Sequence, residues 1–397
     1  MTLQRIGLLL GILLFVCAAI MQPLEAFREA ADRYVQEQQA AGADAMELAR
    51  SMQIVAGLML WMVVWWLTEA IPLPWTALLP LCVLPALSVV GISKVEVFTF
   101  SIPTVARQYV NPVVLLFFGG FLLAGAMRRW HLDRRITLWF LTRGNLAKSA
   151  RTTLFGLMAV TAFLSMWIAN TATCAMMLPL SLGILEYIGA KPGKSPFGTS
   201  LMLGIAWSAS IGGVGSLIGT PFNGIAVGVL NDYFAHDPSY QRITFLDWLK
   251  FGLPLVAAFL PVAWFVLVRT FPSEVAAFEG GKERLMEEFH RLGKMTRGER
   301  GSIVVFLTAV VLWLTLPFRE EFLPASLIQL IRWLDEYVVG LMAGLSLFLI
   351  PVDRKRRTFL LHWKDFRYVE WGALAIVGGR YCAFGCHVQD RLRLMDC

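Results

Sequence analysis

Long apolar runs separated by short polar links dominate the sequence. The runs fall at residues 6–22, 53–71, 75–92, 112–127, 153–188, 199–230, 251–271, 302–318, 337–352 and 368–379. A helix needs about 20 apolar residues to cross the ~30 Å hydrocarbon core of a bilayer, and most of the runs approach that length. The pattern predicts an all-α integral membrane protein that crosses the bilayer many times.

Composition supports this class and excludes another. Of the 397 residues, 57% are hydrophobic and only 16% are charged, whereas soluble domains carry about 25% charged residues. The net charge of +7 could indicate a nucleic-acid partner. The basic residues, however, cluster at the ends of apolar runs, as they do in cytoplasmic loops. We therefore expect contact with membrane lipid and no nucleic-acid binding.

Charge asymmetry between the links predicts the orientation of the chain. The loop at 128–151 carries seven basic residues against Asp133 alone, and four basic residues follow Asp353, whereas 23–52 carries six acidic residues against three basic ones. Positive loops face the cytoplasm. We expect a multi-pass protein of the cell membrane with a cytoplasmic N-terminus, an uncleaved first helix at 6–22, and an external segment at 23–52 that lies along the membrane surface as a helix.

The run 153–188 is too long for one helix, yet its halves are too short to cross. Arg151 precedes it and Lys191 follows it, so both ends look cytoplasmic. At 1.5 Å per residue, the arms on either side of the centre at 169–173 each reach about 22–25 Å. A re-entrant helical hairpin, entering and leaving on one side with its tip deep in the membrane, fits both facts.

The run 199–230 contains an interruption of a different kind. Four glycines and a proline fall between Ile211 and Asn223, and such residues break a helix. Unwound backbone at membrane depth is tolerated only where it is buried or lines a cavity. Two broken elements in succession indicate a transporter's binding site.

Asn170 and Thr171, at the centre of the predicted hairpin, are the first candidates for chemistry. A half-helix that begins near the midplane attracts anions, Asn offers an amide donor and a carbonyl acceptor, and Thr adds a hydroxyl. The alternative is that Asn170 only forms an interhelical hydrogen bond, and that the glycines between Gly212 and Gly219 only allow close helix packing.

Other polar residues give weaker signals. The five histidines lie in loops or in the tail without a metal cluster, Glu69 ends a span and is expected at the interface, and the group Cys382, Cys386 and His387 lacks a fourth zinc ligand. No Ser–His–Asp arrangement or carboxylate pair lies within a span. The sequence therefore predicts a carrier rather than an enzyme.

A weak internal repeat is present. Leu60–Thr68 is similar to Val311–Thr315, and Phe117–Gly120 is similar to Ile376–Gly379. The number of spans before the second copy would invert it in the membrane, as in inverted-repeat carriers.

The two central motifs resemble those of a known family. Ser165 to Thr173 (SMWIANTAT) is similar to the first Ser-Asn-Thr signature of the divalent anion/Na⁺ symporters, and Gly212 to Asn223 is similar to the break in that family's fifth transmembrane helix. Thr68–Pro72 and Asn111–Gly120 match in order, so the resemblance covers residues from about 53 to 379.

The resemblance implies a homodimeric elevator carrier for dicarboxylates, citrate or sulfate, coupled to Na⁺. It implies that Ser165, Asn170, Gly212 and Gly213 hold the first Na⁺. It also implies that Asn170 and Thr171 touch the substrate.

The sequence departs from the family in two places. Ala169 stands where the family has serine, and the spacing from Gly120 to Asn170, counted from Gly379, falls beyond Cys397. We therefore expect an incomplete second repeat, and a C-terminally truncated or frame-shifted chain that does not transport by itself. We expect five regions: N-terminal scaffold helices at 1–152, a transport-type region at 153–271, a cytoplasmic linker at 272–300, the start of the second repeat at 301–379 and an aberrant tail at 380–397. An arsenite- or citrate-type permease, or a non-transporting membrane scaffold, are the alternative functions.

Overall fold

The computed structural model describes residues 3–38, 44–93, 96–143, 149–191, 193–234, 237–274, 281–322, 324–353 and 355–379. Helices dominate these residues: α1 Leu3–Ile20, α2 Glu25–Gln38, α3 Ala45–Thr68, α4 Leu73–Thr76, α5 Leu79–Ala86, α6 Ile102–Gln108, α7 Pro112–Arg129, α8 Leu132–Thr142, α9 Ala150–Ser165, α10 Asn170–Tyr187, α11 Pro196–Gly213, α12 Pro221–Tyr233, α13 Phe245–Thr270, α14 Gly281–Arg291, α15 Arg297–Thr315, α16 Arg319–Phe322, α17 Ala325–Leu330 and α18 Glu336–Ser346. Residues 371–379 are also helical.

Short strands and 3₁₀ turns complete the described chain. Two antiparallel hairpins pair β1 Val90–Ser93 with β2 Glu96–Thr99, and β3 Pro351–Asp353 with β4 Thr358–Phe359. The 3₁₀ turns are Leu316–Phe318 and Trp363–Tyr368. Neither hairpin was predicted from the sequence.

Five described helices are long and apolar enough to cross a membrane: α1, α3, α7, α13 and α15 with its 3₁₀ extension to Phe318. The prediction of an all-α polytopic membrane protein is confirmed. Two predicted runs do not form long helices. The run 75–92 forms only α4 and α5, because a proline lies inside α5 and the chain then turns at Ser88, in the left-handed region, into β1. The run 337–352 ends its helix at Ser346 before β3.

The basic loop predicted at 128–151 contains a helix, α8, and the linker predicted at 272–300 contains α14. Both are amphipathic, and the buried face of α8 includes Leu138 and Leu141. The helix expected at 23–52 is present as α2, whose Ala31 and Tyr34 pack on Leu48 and Ala49 of α3.

The chain divides into two compact units. Of the described residues, unit 1 comprises those within 3–114, 225–242 and 370–379, and in it α1 packs along α3. The buried side chain of Gln53 fixes this pair, since it donates to the Ala18 carbonyl at 2.8 Å and accepts from the Leu24 N–H at 2.8 Å.

Unit 2 comprises residues 115–224 and 243–369 and holds the run 153–188 together with the interruption of the run 199–230. Its apolar core lies between α9, α10, α11 and α13, with Leu157, Met158 and Leu201 fully buried. Between α8 and α15, the buried Arg135 and Glu299 form an ion pair with a Nε–Oε1 distance of 2.5 Å.

Both copies of the Gly-Gly motif lie on helices at close backbone contacts. In unit 2, a Cβ on Gly119 would overlap the carbonyl group of Gly340 in α18. In unit 1, a Cβ on Gly379 would overlap the carbonyl group of Ala77. The first glycine is closely packed in both copies, since a Cβ on Gly378, the equivalent of Gly119, would overlap Tyr109, whereas the second glycine is closely packed only at Gly379 and not at Gly120.

Candidate functional site

The predicted hairpin consists of two helices, α9 and α10, joined by a short turn at 166–169. α9 begins with a capping box between Ser149 and Thr152 and ends at Ser165, and α10 begins at Asn170. The N-cap of α10 is Ala169, which provides no side-chain acceptor for the first turn. The departure from the family's serine therefore leaves this helix start without the usual hydroxyl cap.

The second break also lies where the glycines predicted it. α11 ends at Gly213 and α12 begins at Pro221, with non-helical backbone over 214–220. α13 supports this segment, because the indole of Trp248 donates to the Val214 carbonyl at 2.9 Å and Gly252 packs against the same backbone.

The two breaks meet at Ser165. Its fully buried hydroxyl oxygen lies 2.7 Å from Oδ1 of Asn170 and 2.7 Å from the carbonyl oxygen of Ala209 in α11. A serine hydroxyl has one proton to donate, so it cannot donate to both oxygens at once. Two arrangements would give every oxygen a partner. Either a cation lies among the three oxygens, or the Asn170 amide turns so that its nitrogen donates to the hydroxyl.

A second set of oxygens converges beside Gly219. The position that a Cβ would occupy there lies 2.5 Å from the Gly213 carbonyl oxygen and 3.0 Å from those of Ser165 and Met166. Any side chain at this position would fill the space between the two breaks. The glycine therefore keeps three backbone oxygens open to one point.

Side-chain hydrogen bonds tie the breaks together. The buried amide of Asn223 donates to the carbonyls of Gly213 at 2.8 Å and Ser216 at 2.7 Å, and the Ser216 hydroxyl donates to the Met166 carbonyl. Carbonyl oxygens have two lone pairs, so these bonds leave room for a further ligand on each.

The structure thus brings together three of the predicted residues. Ser165 and Asn170 are hydrogen-bonded, and Gly213 lies directly against the Asn170 amide. Gly212 instead meets the backbone of Ala162, which is the close helix packing weighed in the sequence as the alternative. Thr171 is exposed on the first turn of α10.

Sequence reasoning did not assign the other parts of this oxygen-rich site. The carbonyl of Ala209 carries no signal, because any residue supplies one. Ser216, Gly219 and Asn223 were visible as members of the broken motif, but their separate roles depend on which backbone groups face each other.

The donor set suits a hard cation. It consists of hydroxyl, amide and carbonyl oxygens, the ligand type that hard cations prefer, and unwound carbonyls coordinate Na⁺ in carriers with broken helices. Arg135 and Glu299, the ion pair of unit 2 between α8 and α15, lie away from these oxygens and contribute no charge to them.

A membrane chain with several spanning helices and two adjacent broken elements has the architecture of a secondary carrier. The citrate transporter family matches residues 63–386. The chain is also 32% identical over 391 residues to the sodium-dependent dicarboxylate transporter SdcS of Staphylococcus saprophyticus, covering 95% of this chain and 66% of the relative. The SdcS protein of Staphylococcus aureus is 31% identical, covering 82% of this chain and 60% of the relative.

The chain belongs to the divalent anion/Na⁺ symporter family, as the motifs in its sequence predicted. It is a multi-pass membrane protein, and its relatives are named as transporters. It spans 60–66% of the length of these relatives.

Proposed function

We propose that this chain forms part of a Na⁺-coupled carrier of divalent anions, in which Ser165, Asn170 and the backbone at Gly212 and Gly213 hold Na⁺. The observation that carries the proposal is the convergence of polar groups at Ser165, whose hydroxyl lies 2.7 Å from the Asn170 amide and 2.7 Å from the Ala209 carbonyl oxygen. The carbonyl oxygens around Gly219 add ligands beside it. The sodium dependence named for the SdcS relatives agrees with this assignment.

Asn170 and Thr171 are proposed to contact the substrate. They open the first turn of α10, where the positive end of the helix dipole favours an anion. The missing side-chain cap at Ala169 and the exposure of Thr171 support this role. The substrate class is a dicarboxylate, citrate or sulfate. Within the functional unit, a homodimer, residues 153–271 would be the part that moves with the substrate.

Stabilisation by Na⁺ tests the ion site directly. We expect the purified chain to unfold at a higher temperature in NaCl than in KCl of equal ionic strength, because a ligand that binds only the folded state stabilises it. Ser165→Ala should abolish the difference. Ser208→Ala is the matched control, since Ser208 is equally buried on α11 but donates to the Ile205 carbonyl of its own helix.

A Na⁺ effect that survives Ser165→Ala would contradict the ion assignment. Succinate, citrate and sulfate, added in turn with Na⁺, identify the anion by a further rise in the unfolding temperature. A rise that is equal in NaCl and KCl would instead favour the Na⁺-independent, citrate-type permease.

The proposed orientation places the hairpin ends on the cytoplasmic side with the N-terminus. Single cysteines in a background without native cysteines test it, at Asp32, Arg151, Lys191 and Arg356, all of which are exposed. We expect an impermeant maleimide to label the last three from one side and Asp32→Cys from the other. Opposite labelling of Arg151→Cys and Lys191→Cys would make 153–188 a simple crossing and remove the re-entrant hairpin.

A further inference from the structure

A cavity of about 360 Å³ lies in unit 2 at the base of the hairpin, between α8, α9, α10 and α14. The residue that α9 contributes to the cavity wall is Thr153. It lies twelve residues before Ser165 and thus about 18 Å along the helix from the proposed ion site. Apolar side chains form most of its wall: Met176, Met177, Leu180, Ile184 and Leu285. This volume lies within the range of small-molecule sites.

Two buried polar groups face this cavity without the usual partners. Asp133 is 5% exposed, and its Oδ1 accepts the N–H of Arg134 at 2.7 Å. Among the described residues, its carboxylate has no cationic side chain within 4 Å. The Thr153 hydroxyl is also buried, and within the described part of the chain it has no hydrogen-bond partner.

The charged side chains Arg134 and Glu288 on the cavity wall do not pair with Asp133. They pair with each other at 3.3 Å. Burial raises the pKa of Asp133, while the Arg134 N–H and the nearby His131 and Arg128 lower it by less. A buried carboxylate is costly unless a charge or hydrogen bonds compensate it, so the cavity favours a cationic occupant.

We propose that this cavity binds a small organic cation with an apolar body, whose ammonium group pairs with Asp133 and bonds to the Thr153 hydroxyl. The hydrocarbon part lies among the methionine and leucine side chains, which adapt to irregular shapes. Such a ligand contacts both arms of the hairpin, through Thr153 on α9 and Met177 on α10. The site is separate from the proposed Na⁺ and anion site and does not depend on it.

Three matched probes test the chemistry by calorimetric titration of the full chain in nanodiscs: 4-phenylbutylammonium, 4-phenylbutan-1-ol and 4-phenylbutyrate. The ammonium should bind at least about tenfold more tightly than the alcohol, because a charge-assisted bond is roughly twice as strong as a neutral one. The carboxylate should not bind. Asp133→Asn should remove the preference for the ammonium, and Thr153→Val should weaken binding several-fold.

A cavity-filling variant separates binding from folding. A Cβ on Gly183, which lines the cavity on α10, would have no atom within 4 Å. Gly183→Leu should therefore fill the cavity and abolish binding without lowering the unfolding temperature. Leu182→Phe, at the adjacent exposed position, should leave binding unchanged. Equal affinity for ammonium and alcohol, or ammonium binding that survives Gly183→Leu, would overturn the proposal.

Discussion

Replacement of Arg135 by methionine is expected to reduce the free energy of unfolding by about 3–5 kcal/mol, because it leaves a buried carboxylate without its cation. Arg135 and Glu299 are 8% and 4% exposed, with Nε and Oε1 2.5 Å apart. The guanidinium also donates to the carbonyls of Gly293 at 3.0 Å and Leu292 at 3.2 Å. One side chain thus fixes α8 to the start of α15.

The adjacent Arg134 is the control for this prediction. Its ion pair with Glu288 is exposed, with 58% of the arginine side chain accessible, so Arg134→Met should cost less than about 1 kcal/mol. The double variant Arg135→Met with Glu299→Gln should be more stable than Arg135→Met alone. It removes the unpaired charge, and the new amide still accepts the Thr296 N–H that Glu299 accepts at 2.6 Å. Unfolding curves in detergent measure all three, and equal losses for Arg134→Met and Arg135→Met would refute the prediction.

This ion pair also marks a limit of the sequence analysis. The loop at 128–151 was predicted from its many basic residues. Such a composition does not show which of these residues pairs with a carboxylate. Arg135 and its carboxylate are 164 positions apart, so no local pattern identifies the pair. The periodicity of Leu138 and Leu141, both fully buried, was a signal for α8 that the charge pattern concealed.

The broken elements were predicted more accurately, since their signals are local. The basic residues on both sides of 153–188 and the short arms predicted a hairpin, and its turn lies at 166–169, just before Asn170. The glycines between 212 and 219 predicted the second break, at 214–220. The contact between Ser165 of α9 and Ala209 of α11, beside these breaks, depends on how the two helices pack, which the sequence does not contain.

The short elements were missed for a related reason. Val90–Ser93 and Glu96–Thr99 pair in a local hairpin, but the first strand lies at the end of the apolar run 75–92. Continuous hydrophobicity does not separate a buried strand from a helix. The proline inside α5 and the left-handed backbone at Ser88 end the helix before the first strand begins.

Replacement of Gly119 by alanine should strongly destabilise unit 2, whereas the same replacement at Gly120 should not. A Cβ on Gly119 would overlap the carbonyl group of Gly340, and Gly344 packs on Gly119 from the same helix. These atoms are backbone, so α7 and α18 would have to separate, and overpacking costs about 1–3 kcal/mol or more. A Cβ on Gly120 would meet only Ile218, at 3.9 Å.

The two variants differ by one position on one helix, so helix propensity favours both equally, by up to about 1 kcal/mol for Gly→Ala. We expect Gly120→Ala to unfold at or above the temperature of the wild type, and Gly119→Ala to unfold several degrees below it. A double variant that changes Gly119 and Gly340 to alanine should be worse than Gly119→Ala, because a Cβ on Gly340 would itself press on Leu116. Equal unfolding temperatures for the two single variants would show that α7 and α18 do not cross at Gly119, and that this glycine serves some purpose other than close packing.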